Sequence, residues 1–250
     1  MAKRMFWDLV NEVIARSDIV LEVLDARMIE ETRNEEVERR IKSYGKQLIF
    51  VVNKCDLVPD SWLKKISKEL FPVVCVESKS RKGKTQLREK ILRYSEKKPM
   101  VKVGVVGYPN TGKSSVINML KGQASAGVSS KSGFTRGIQL VKADNRIMLL
   151  DSPGVFPFEK GDEVKLAMIG TKNPQELKDP ESCAMEMIVA LKGKVEKNYG
   201  AKKGADEEET LENIAVKLKK LKKGGEPDTE TASRIIIKDW QSGKIELKEK

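Results

Sequence analysis

The sequence predicts an α/β fold with a doubly wound, mostly parallel sheet, followed by a small all-helical domain. Within residues 1–162, short apolar runs of strand type alternate with segments whose apolar residues recur at helical spacing. Such alternation is typical of a parallel sheet that helices cover on both faces. After about residue 163 the strand-type runs stop and only helical spacing remains. We therefore expect two domains, 1–162 and 163–250.

The first domain is expected to begin with a helix and three strand–helix pairs. Residues 3–16 place their apolar side chains near helical spacing. The three apolar runs that follow are short and rich in valine, and polar residues bound them, as in buried strands. The strands are expected at 19–24, 47–52 and 73–76, and the helices at 33–43, 60–70 and 84–97.

Three more strands and a helix complete the expected sheet. The strands are predicted at 101–106, about 138–143 and 146–150, and the helix at 113–120. Residues 122–137 are rich in glycine, serine and alanine without an apolar period, which indicates a mobile loop.

The helical domain contains two stripes at helical spacing, the first stopped by Gly224-Gly225 and the second capped by Asp228 or Thr229. The stripes comprise Leu211, Ile214, Ala215, Leu218 and Leu221, and Ala232, Ile235, Ile236 and Trp240. Such stripes are more typical of a helical core than of a ligand site.

Two segments that follow strands have the residue types that read a guanine base. Asn53-Lys54-Cys55-Asp56 has the pattern N-K-x-D. The Asp56 carboxylate can accept from guanine N1–H and the N2 amine together, a donor pair that adenine lacks. We expect Asn53 to brace the loop or contact N7, and the stem of Lys54 to cover the base. Ser78 and Lys79 align with the usual S-A-K companion box, although a glutamate replaces its serine, and a backbone N–H near Ser78 is a candidate donor to guanine O6.

The segment from Gly107 to Ser114 has the phosphate-loop pattern G-x-x-x-x-G-K-[ST] between a predicted strand and a predicted helix. Its backbone N–H groups can surround a β-phosphate at the positive end of the helix, and Lys113 can bridge the β- and γ-phosphates. The residues expected around the nucleotide phosphates are Asn110, Thr111, Gly112, Lys113, Ser114 and Ser115.

Three oxygen-bearing side chains are candidate ligands of Mg²⁺ bound with GTP or GDP. Ser114 is expected to coordinate the ion through its hydroxyl, and Asp151 to hold it through water. Thr135, in Gly-Phe-Thr, is the candidate switch threonine that binds the ion when GTP is present. Asp151 also begins a D-x-x-G box, in which the Gly154 backbone N–H is expected to contact the γ-phosphate.

The boxes stand in a permuted order. The guanine box precedes the phosphate loop, and Lys54 lies 59 residues before Lys113. In ordinary small GTPases the phosphate loop comes first. The D-x-x-G box thus lies about ten residues before the helical domain, so ordering it around GTP could reposition that domain. We expect GTP binding and the binding of a partner by that domain to be coupled in both directions.

The sequence lacks two common aids to hydrolysis. Val155 follows Gly154 where many GTPases have the glutamine that orients water, and the chain has no histidine at all. Slow intrinsic hydrolysis is expected. Asn110 is a candidate ligand for K⁺ beside the phosphates, against the alternative of an ordinary loop residue. Arg136 is a weaker candidate for an arginine finger.

Charge indicates a polyanionic partner. The net charge is +11, and residues 161–250 contain 18 basic and 18 acidic residues, so the excess lies in the first 160. Nucleic acid is the simplest partner, and a solvated lysine-rich surface is the alternative. Basic clusters at 79–84 and 217–223 are candidate RNA contacts, and helix capping is the alternative for the second.

Three cysteines without metal spacing indicate reduced thiols in a cytosolic protein. No apolar run is long enough to cross a bilayer.

The ordered motifs N-K-C-D, G-Y-P-N-T-G-K-S, G-F-T and D-S-P-G resemble those of the YlqF/RbgA family of circularly permuted GTPases. Asp25-Ala26-Arg27 is similar to that family's D-A-R element, and the tail 223–245 is similar to the nucleolar branch that includes nucleostemin. The resemblance implies GTP-dependent assembly of the large ribosomal subunit, with rRNA and pre-ribosomal particles as partners and a helical domain that contacts RNA. Bacterial members carry an N-terminal histidine thought to assist hydrolysis, which this chain lacks.

Two other functions stay open. The chain could be an RNA-binding protein that uses GTP as a sensing ligand with negligible turnover, which Val155 and the missing histidine favour. A translation or tRNA-processing GTPase is a third alternative, less favoured because no additional catalytic domain is recognisable. A monomer without a membrane role is expected.

Overall fold

The computed structural model describes residues 2–121, 139–151 and 163–248, with side chains from residue 7 onward except that of Gln139. The chain divides into two compact units, Met1–Glu159 and Lys160–Lys250.

A six-stranded sheet in the order β3-β2-β1-β4-β6-β5 forms the centre of the first unit. Its strands are β1 (Ile19–Asp25), β2 (Gln47–Asn53), β3 (Val73–Cys75), β4 (Val101–Val106), β5 (Gln139–Lys142) and β6 (Ile147–Asp151). All neighbouring pairs are parallel except β5 with β6. The predicted mostly parallel sheet is confirmed.

The described helices of this unit are α1 (Ala2–Arg16), α2 (Ile29–Thr32), α3 (Glu35–Ser43), α4 (Asp60–Glu69), α5 (Lys84–Arg93) and α6 (Lys113–Leu120). The helix expected from residue 33 begins two residues later, because the Asn34 side chain accepts from the Val37 N–H as its cap. The helix expected to reach residue 97 ends at Arg93, and Glu96 and Lys97 have positive φ angles of 50° and 63°.

Helices cover both faces of the sheet, as the sequence predicts. On one face, Leu21 and Val23 of β1 share a buried cluster with Leu87 of α5 and Val116 of α6. On the other face, Val20 packs with a cluster from α1 and α3, formed by Val10, Val13, Ile14, Val37 and Ile41. Because β1 is buried along its whole length, both faces contribute apolar burial, the main stabilising term of the fold.

In the second unit the described helices are α7 (Glu163–Met168), α8 (Pro180–Ala190), α9 (Lys194–Tyr199), α10 (Glu207–Lys217) and α11 (Thr229–Ser242). Fully buried Trp240 donates from its indole N–H to the Met168 carbonyl at 2.8 Å, which ties α11 to the end of α7. Asp228 accepts from the Thr231 N–H at 3.0 Å, so Asp228 caps α11 as one of the two residues predicted for that role.

The first helical stripe ends earlier in the structure than the sequence predicts. Helix α10 ends at Lys217, and Leu221 is 51% exposed instead of belonging to the core. The chain reverses there because Leu221 forms an isolated bridge with Pro227, and Gly224 and Gly225 make the turn with φ angles of 109° and 90°. Within the described residues, no helix combines the length and apolar character needed to span a bilayer.

Candidate nucleotide-binding site

The predicted boxes converge on one edge of the sheet. Asn53 is the last residue of β2 and Asp151 the last of β6, while Gly107 follows β4 directly. The segment with Ser78 follows β3. Because these strands are parallel, their carboxyl ends lie side by side, which is where ligands bind in open α/β sheets.

Asn53 connects three parts of this edge. Its amide nitrogen donates to the Thr111 carbonyl at 2.8 Å, and its Oδ1 accepts from the Ser78 N–H at 3.2 Å. The side chain is buried, so both contacts are made away from water. Of the two expected roles, bracing is the one that these contacts provide. The Ser78 N–H is committed to Asn53 and is therefore not available as the guanine O6 donor, whereas the N–H of Lys79 is the next backbone donor along the chain.

Lys54 is held by the D-A-R element, a contact that the sequence analysis did not predict. Its Nζ lies 2.8 Å from Asp25 Oδ2, and Arg27 donates to both Asp25 oxygens, from Nε to Oδ1 at 3.0 Å and from Nη2 to Oδ2 at 2.8 Å. Burial alone would raise the pKa of Asp25, but the two cations lower that pKa to about 2. The carboxylate therefore stays ionised and fixes the Lys54 stem beside the guanine box.

Asp56 is left open for a ligand. It lies in a 3-10 turn, Cys55–Leu57, after Lys54 takes a left-handed φ of 63°. Its side chain is half-exposed, and no hydrogen bond or ion pair engages its carboxylate within the described part of the chain. This is the state required of a group that is to accept two hydrogen bonds from guanine.

The phosphate loop has the backbone of an anion cradle. Gly107 has φ 142°, and a Cβ there would lie 2.5 Å from the Val23 carbonyl, so only glycine fits against β1. Gly112 has φ 97° and is the N-cap of α6, and a Cβ there would lie 2.1 Å from the Asn53 amide nitrogen. Between them, Asn110 is exposed with a left-handed φ of 60°. Thr111 is buried, and its hydroxyl donates to the Tyr108 carbonyl at 2.9 Å.

Lys113 is a buried cation within this cradle. Its ammonium donates to the Tyr108 carbonyl at 2.9 Å, and it forms no ion pair with a described carboxylate. Burial lowers the pKa of Lys113 to about 8, although Asp151 opposes that shift. Burial likewise raises the pKa of half-buried Asp151, although Lys113 opposes it. A phosphate group would supply the anionic partner that Lys113 lacks among the described residues.

The expected Mg²⁺ ligands are consistent with that ion as far as they are described. Ser114 is exposed in the first turn of α6, and Asp151 ends the strand next to β4. Hydroxyl and carboxylate oxygens are the donors that Mg²⁺ prefers, with water and phosphate completing its shell. Ser115, half-exposed, follows in the same helical turn. Thr135, Arg136, Gly154 and Val155 lie outside the described residues.

The basic loop at 79–84 has a structural role alongside its charge. Arg81 Nη2 donates to the Lys121 carbonyl at 2.6 Å and to the Met119 carbonyl at 3.3 Å, so Arg81 caps the C-terminal end of α6. Lys84 Nζ lies 3.4 Å from the same Lys121 carbonyl. Two of the basic side chains expected to contact RNA are thus partly used in holding the phosphate-loop helix.

Two cysteines adjoin the guanine box. Cys55 is its variable residue, and Cys75 ends β3, where it pairs in register with Val52. The neighbouring Cys55 side chain lowers the pKa of Cys75 to about 7 in spite of burial, while the Cys55 thiol itself donates to the Val52 carbonyl at 3.1 Å. The Cys75 side chain and burial together raise the pKa of Cys55. Sequence spacing does not predict that these two cysteines lie near each other, since they are 20 residues apart.

Residues 102–222 match the profile of a family described as "50S ribosome-binding GTPase". The match begins in β4 and so leaves the guanine box outside, as a permuted order requires. A GNP-bound YlqF structure from T. maritima is similar with a TM-score of 0.65 and 26% identity, covering 98% of this chain and 95% of that one.

Curated relatives extend the similarity along the chain. An uncharacterized GTP-binding protein of Methanocaldococcus jannaschii is 40% identical over 245 residues, covering 95% of this chain and 65% of the relative. Nucleolar GTP-binding protein 2 of Saccharomyces cerevisiae is 34% identical, covering 97% of this chain and 52% of the relative. The chain thus spans between half and two thirds of the length of these two relatives. Residues 102–222 thus match a GTPase family profile, and the whole chain is similar in fold to the circularly permuted GTPase YlqF and in sequence to nucleolar GTPases.

Proposed function

We propose that this protein binds and hydrolyses GTP and acts as a nucleotide-dependent switch in assembly of the large ribosomal subunit. The observation that carries the proposal is the buried Lys113 ammonium, which lacks an anionic partner in the described chain and lies in a glycine cradle braced to the guanine box by Asn53. The family profile and the nucleolar relatives support the ribosomal part of the proposal.

Within this site, each described residue has a distinct task. Asp56 would accept from guanine N1–H and the N2 amine, and the Lys54 stem, fixed by Asp25, would lie along the base. The loop N–H groups from Asn110 to Ser115 and the start of α6 would hold the phosphates. Lys113 would neutralise the β- and γ-phosphates, so that charge developing in the transition state is stabilised by a group already in place.

Mg²⁺, when bound, would add a further positive charge between the phosphates, and Ser114, Asp151 and Thr135 are its proposed ligands. The Gly154 N–H is the proposed γ-phosphate contact. Because the chain has no histidine and has Val155 after Gly154, we propose slow intrinsic hydrolysis that ribosomal particles stimulate. K⁺ held by Asn110 is a proposed aid, and equal hydrolysis rates in Na⁺ and K⁺ would contradict it.

The proposed partners are rRNA and precursors of the large subunit. The helical domain, 163–250, is the proposed RNA contact, and the end of α10 and the turn after it carry exposed Lys217, Lys219, Lys222 and Lys223. These side chains form no ion pair in the described chain, so their charge is available to phosphates. The permuted order places the D-x-x-G box next to this domain in sequence, which supports coupling between GTP and RNA.

We propose a monomer that resides where ribosomes assemble. Relatives from yeast and plants are named nucleolar or nuclear proteins, and the cytoplasmic location expected from the sequence is kept as a proposal for cells that assemble ribosomes in the cytoplasm.

The second candidate function is an RNA-binding protein that senses GTP without turnover, and the Val155 position favours it.

Substitution of Asp56 tests the guanine assignment. Asp56→Asn replaces a carboxylate with two acceptor oxygens by an amide with one acceptor oxygen and one NH₂ donor. The NH₂ would face a guanine donor, so GTP affinity should fall at least about a hundredfold. Xanthosine triphosphate, which has a carbonyl in place of the N2 amine, should then bind the variant better than GTP does. An unchanged GTP affinity would contradict the assignment. Comparing GTP hydrolysis with and without large subunits then separates the switch from the sensor, because the sensor should show no stimulated turnover.

A further inference from the structure

A groove of about 690 Å³ opens at the edge of the sheet opposite to the nucleotide site. Its lining includes the first residues of β2 and the Phe71-Pro72 segment that precedes β3, whereas the guanine and phosphate boxes follow the carboxyl ends of the strands. The groove is therefore separate from the residues assigned to GTP.

The groove has an apolar floor and an aromatic rim. Leu48 is half-buried and Phe50 is 6% exposed at the floor, where Arg33 stacks over the Phe50 ring at 5.6 Å. At the rim, Phe71 is 80% exposed, the largest exposure among the described large apolar residues. Burial in the core does not explain Phe71, so an aromatic face is presented to solvent next to a concave surface.

Three cations of the lining form no ion pair within the described chain. Arg33 is paired with Glu38 through two hydrogen bonds of 3.0 and 2.9 Å. Arg39, by contrast, contacts only the Glu35 backbone carbonyl, at 3.3 Å, and Lys42 and Lys46 form no ion pair. Glu35 is the one lining carboxylate outside the Arg33 pair. The groove therefore carries a net positive charge around an apolar floor.

We propose that this groove binds an unpaired nucleotide of RNA. Each RNA nucleotide supplies a planar base and a phosphate together, which match the exposed Phe71 ring and the three cations. An acidic peptide would match the charge, but it offers a planar group only at particular residues. The proposal rests on the RNA partner proposed above and adds to it a second contact, on the GTPase unit and away from the helical domain.

The two basic clusters singled out in the sequence, 79–84 and 217–223, contain no aromatic residue and do not line this groove. Folding assembles it from the end of α3, the start of β2 and the residues before β3. Phosphates on Arg39, Lys42 and Lys46 would give affinity that falls with salt, and stacking on Phe71 would give a preference for unpaired RNA over duplex.

The test measures binding of a short fluorescent oligouridylate to the full chain by anisotropy. Phe71→Ala should weaken binding about tenfold, and Phe71→Trp should retain it because an aromatic face remains. The matched control is Trp62→Ala, which removes an aromatic residue that is 43% exposed but does not line the groove. That control should bind within about twofold of the wild type. Affinity for GDP should be the same in all four proteins.

A second readout locates the RNA, since the helical domain could bind the same oligonucleotide. An oligonucleotide containing 4-thiouridine should crosslink to the peptide that contains Phe71, and the crosslink should disappear in Lys42→Gln/Lys46→Gln. If the wild type binds RNA without a crosslink to any lining residue, and Phe71→Ala binds equally well, the groove proposal is wrong while the RNA partner stands. If the wild type binds no RNA, the partner itself is wrong. If Phe71→Ala affects binding of polyglutamate peptides and not of RNA, the groove is a peptide site.

Discussion

Replacing Lys113 with methionine should stabilise the nucleotide-free protein. Burial lowers the pKa of Lys113 from 10.5 to about 8, so at pH 7 the fold holds a charge in a site that disfavours it. At ~1.36 kcal/mol per pKa unit, the shift corresponds to about 3 kcal/mol of destabilisation below pH 8. The variant also loses the hydrogen bond to the Tyr108 carbonyl, which lowers its free energy of unfolding by about 1 kcal/mol. The net expectation is about 2 kcal/mol in favour of the variant.

The dependence on pH identifies the cause. Between pH 8 and 10.5 the unfolded state binds the Lys113 proton and the folded state does not, so wild-type stability rises with pH across this window. The advantage of Lys113→Met should therefore shrink above pH 8 and be absent by about pH 10.5. Urea unfolding of both proteins without nucleotide measures this. Lys102→Met, which changes an exposed lysine on β4, serves as the control and should alter stability by less than about 0.5 kcal/mol.

Bound nucleotide should make the wild type more stable than Lys113→Met. A phosphate pairs with the Lys113 ammonium, so GDP should raise the melting temperature of the wild type with the logarithm of ligand concentration and leave that of Lys113→Met unchanged. The reasoning is refuted if Lys113→Met is less stable than the wild type without nucleotide at every pH, because Lys113 would then contribute to the empty fold.

Three further predictions concern residues around the guanine box. Asp25→Asn leaves two cations without their carboxylate and should destabilise the protein by about 3 kcal/mol, measured by urea unfolding at pH 7. Because the pKa of Asp25 is held at about 2, that difference should be constant above pH 4 and be lost as pH falls through 2. Gly112→Ala places a Cβ 2.1 Å from the Asn53 amide and should abolish stabilisation by GDP in thermal unfolding. Iodoacetamide at pH 7 should alkylate Cys75 before Cys55, as followed by peptide mass spectrometry, because the Cys75 pKa is lowered to about 7 and that of Cys55 is raised.

A control or a contradicting result accompanies each of these three changes. A stability of Asp25→Asn equal to that of the wild type would contradict the role of the D-A-R element. For Gly112→Ala the control is Gly45→Ala, because a Cβ at Gly45 meets no atom within 4 Å although φ is also positive, at 64°. Buried Cys183 is the slow-reacting reference for alkylation, and earlier labelling of Cys55 would contradict the lower pKa of Cys75.

The sheet and its boxes could be predicted because they depend on local signals. Apolar runs define strands, and the residues that follow each strand, such as Asn53 and Gly107, fall at the same sheet edge whatever the details of packing. Caps were predictable for the same reason: Asp228 precedes an apolar stripe and bonds three residues ahead. The end of α10 could not be predicted, because it depends on the Leu221–Pro227 bridge, which apolar spacing does not encode.

Contacts between distant segments were the part that sequence could not supply. Asp25 is 29 residues from Lys54, and the motif patterns do not say that they meet. Arg81 reaches the end of α6, 40 residues away, so its cationic character could be read as an RNA contact before its capping role was seen. The Phe71 groove likewise joins three segments and depends on the way strands β2 and β3 lie side by side.

Co-sedimentation with isolated ribosomal subunits, in K⁺ buffer with a GTP analogue or GDP, tests the central claim most directly. The proposed function predicts that the protein migrates with the large subunit in the presence of the GTP analogue, and much less with GDP. The Asp56→Asn variant should lose this response to the GTP analogue and regain it with a xanthosine triphosphate analogue. Binding to neither subunit, or equal binding with both nucleotides, would contradict a GTP-dependent role in large-subunit assembly.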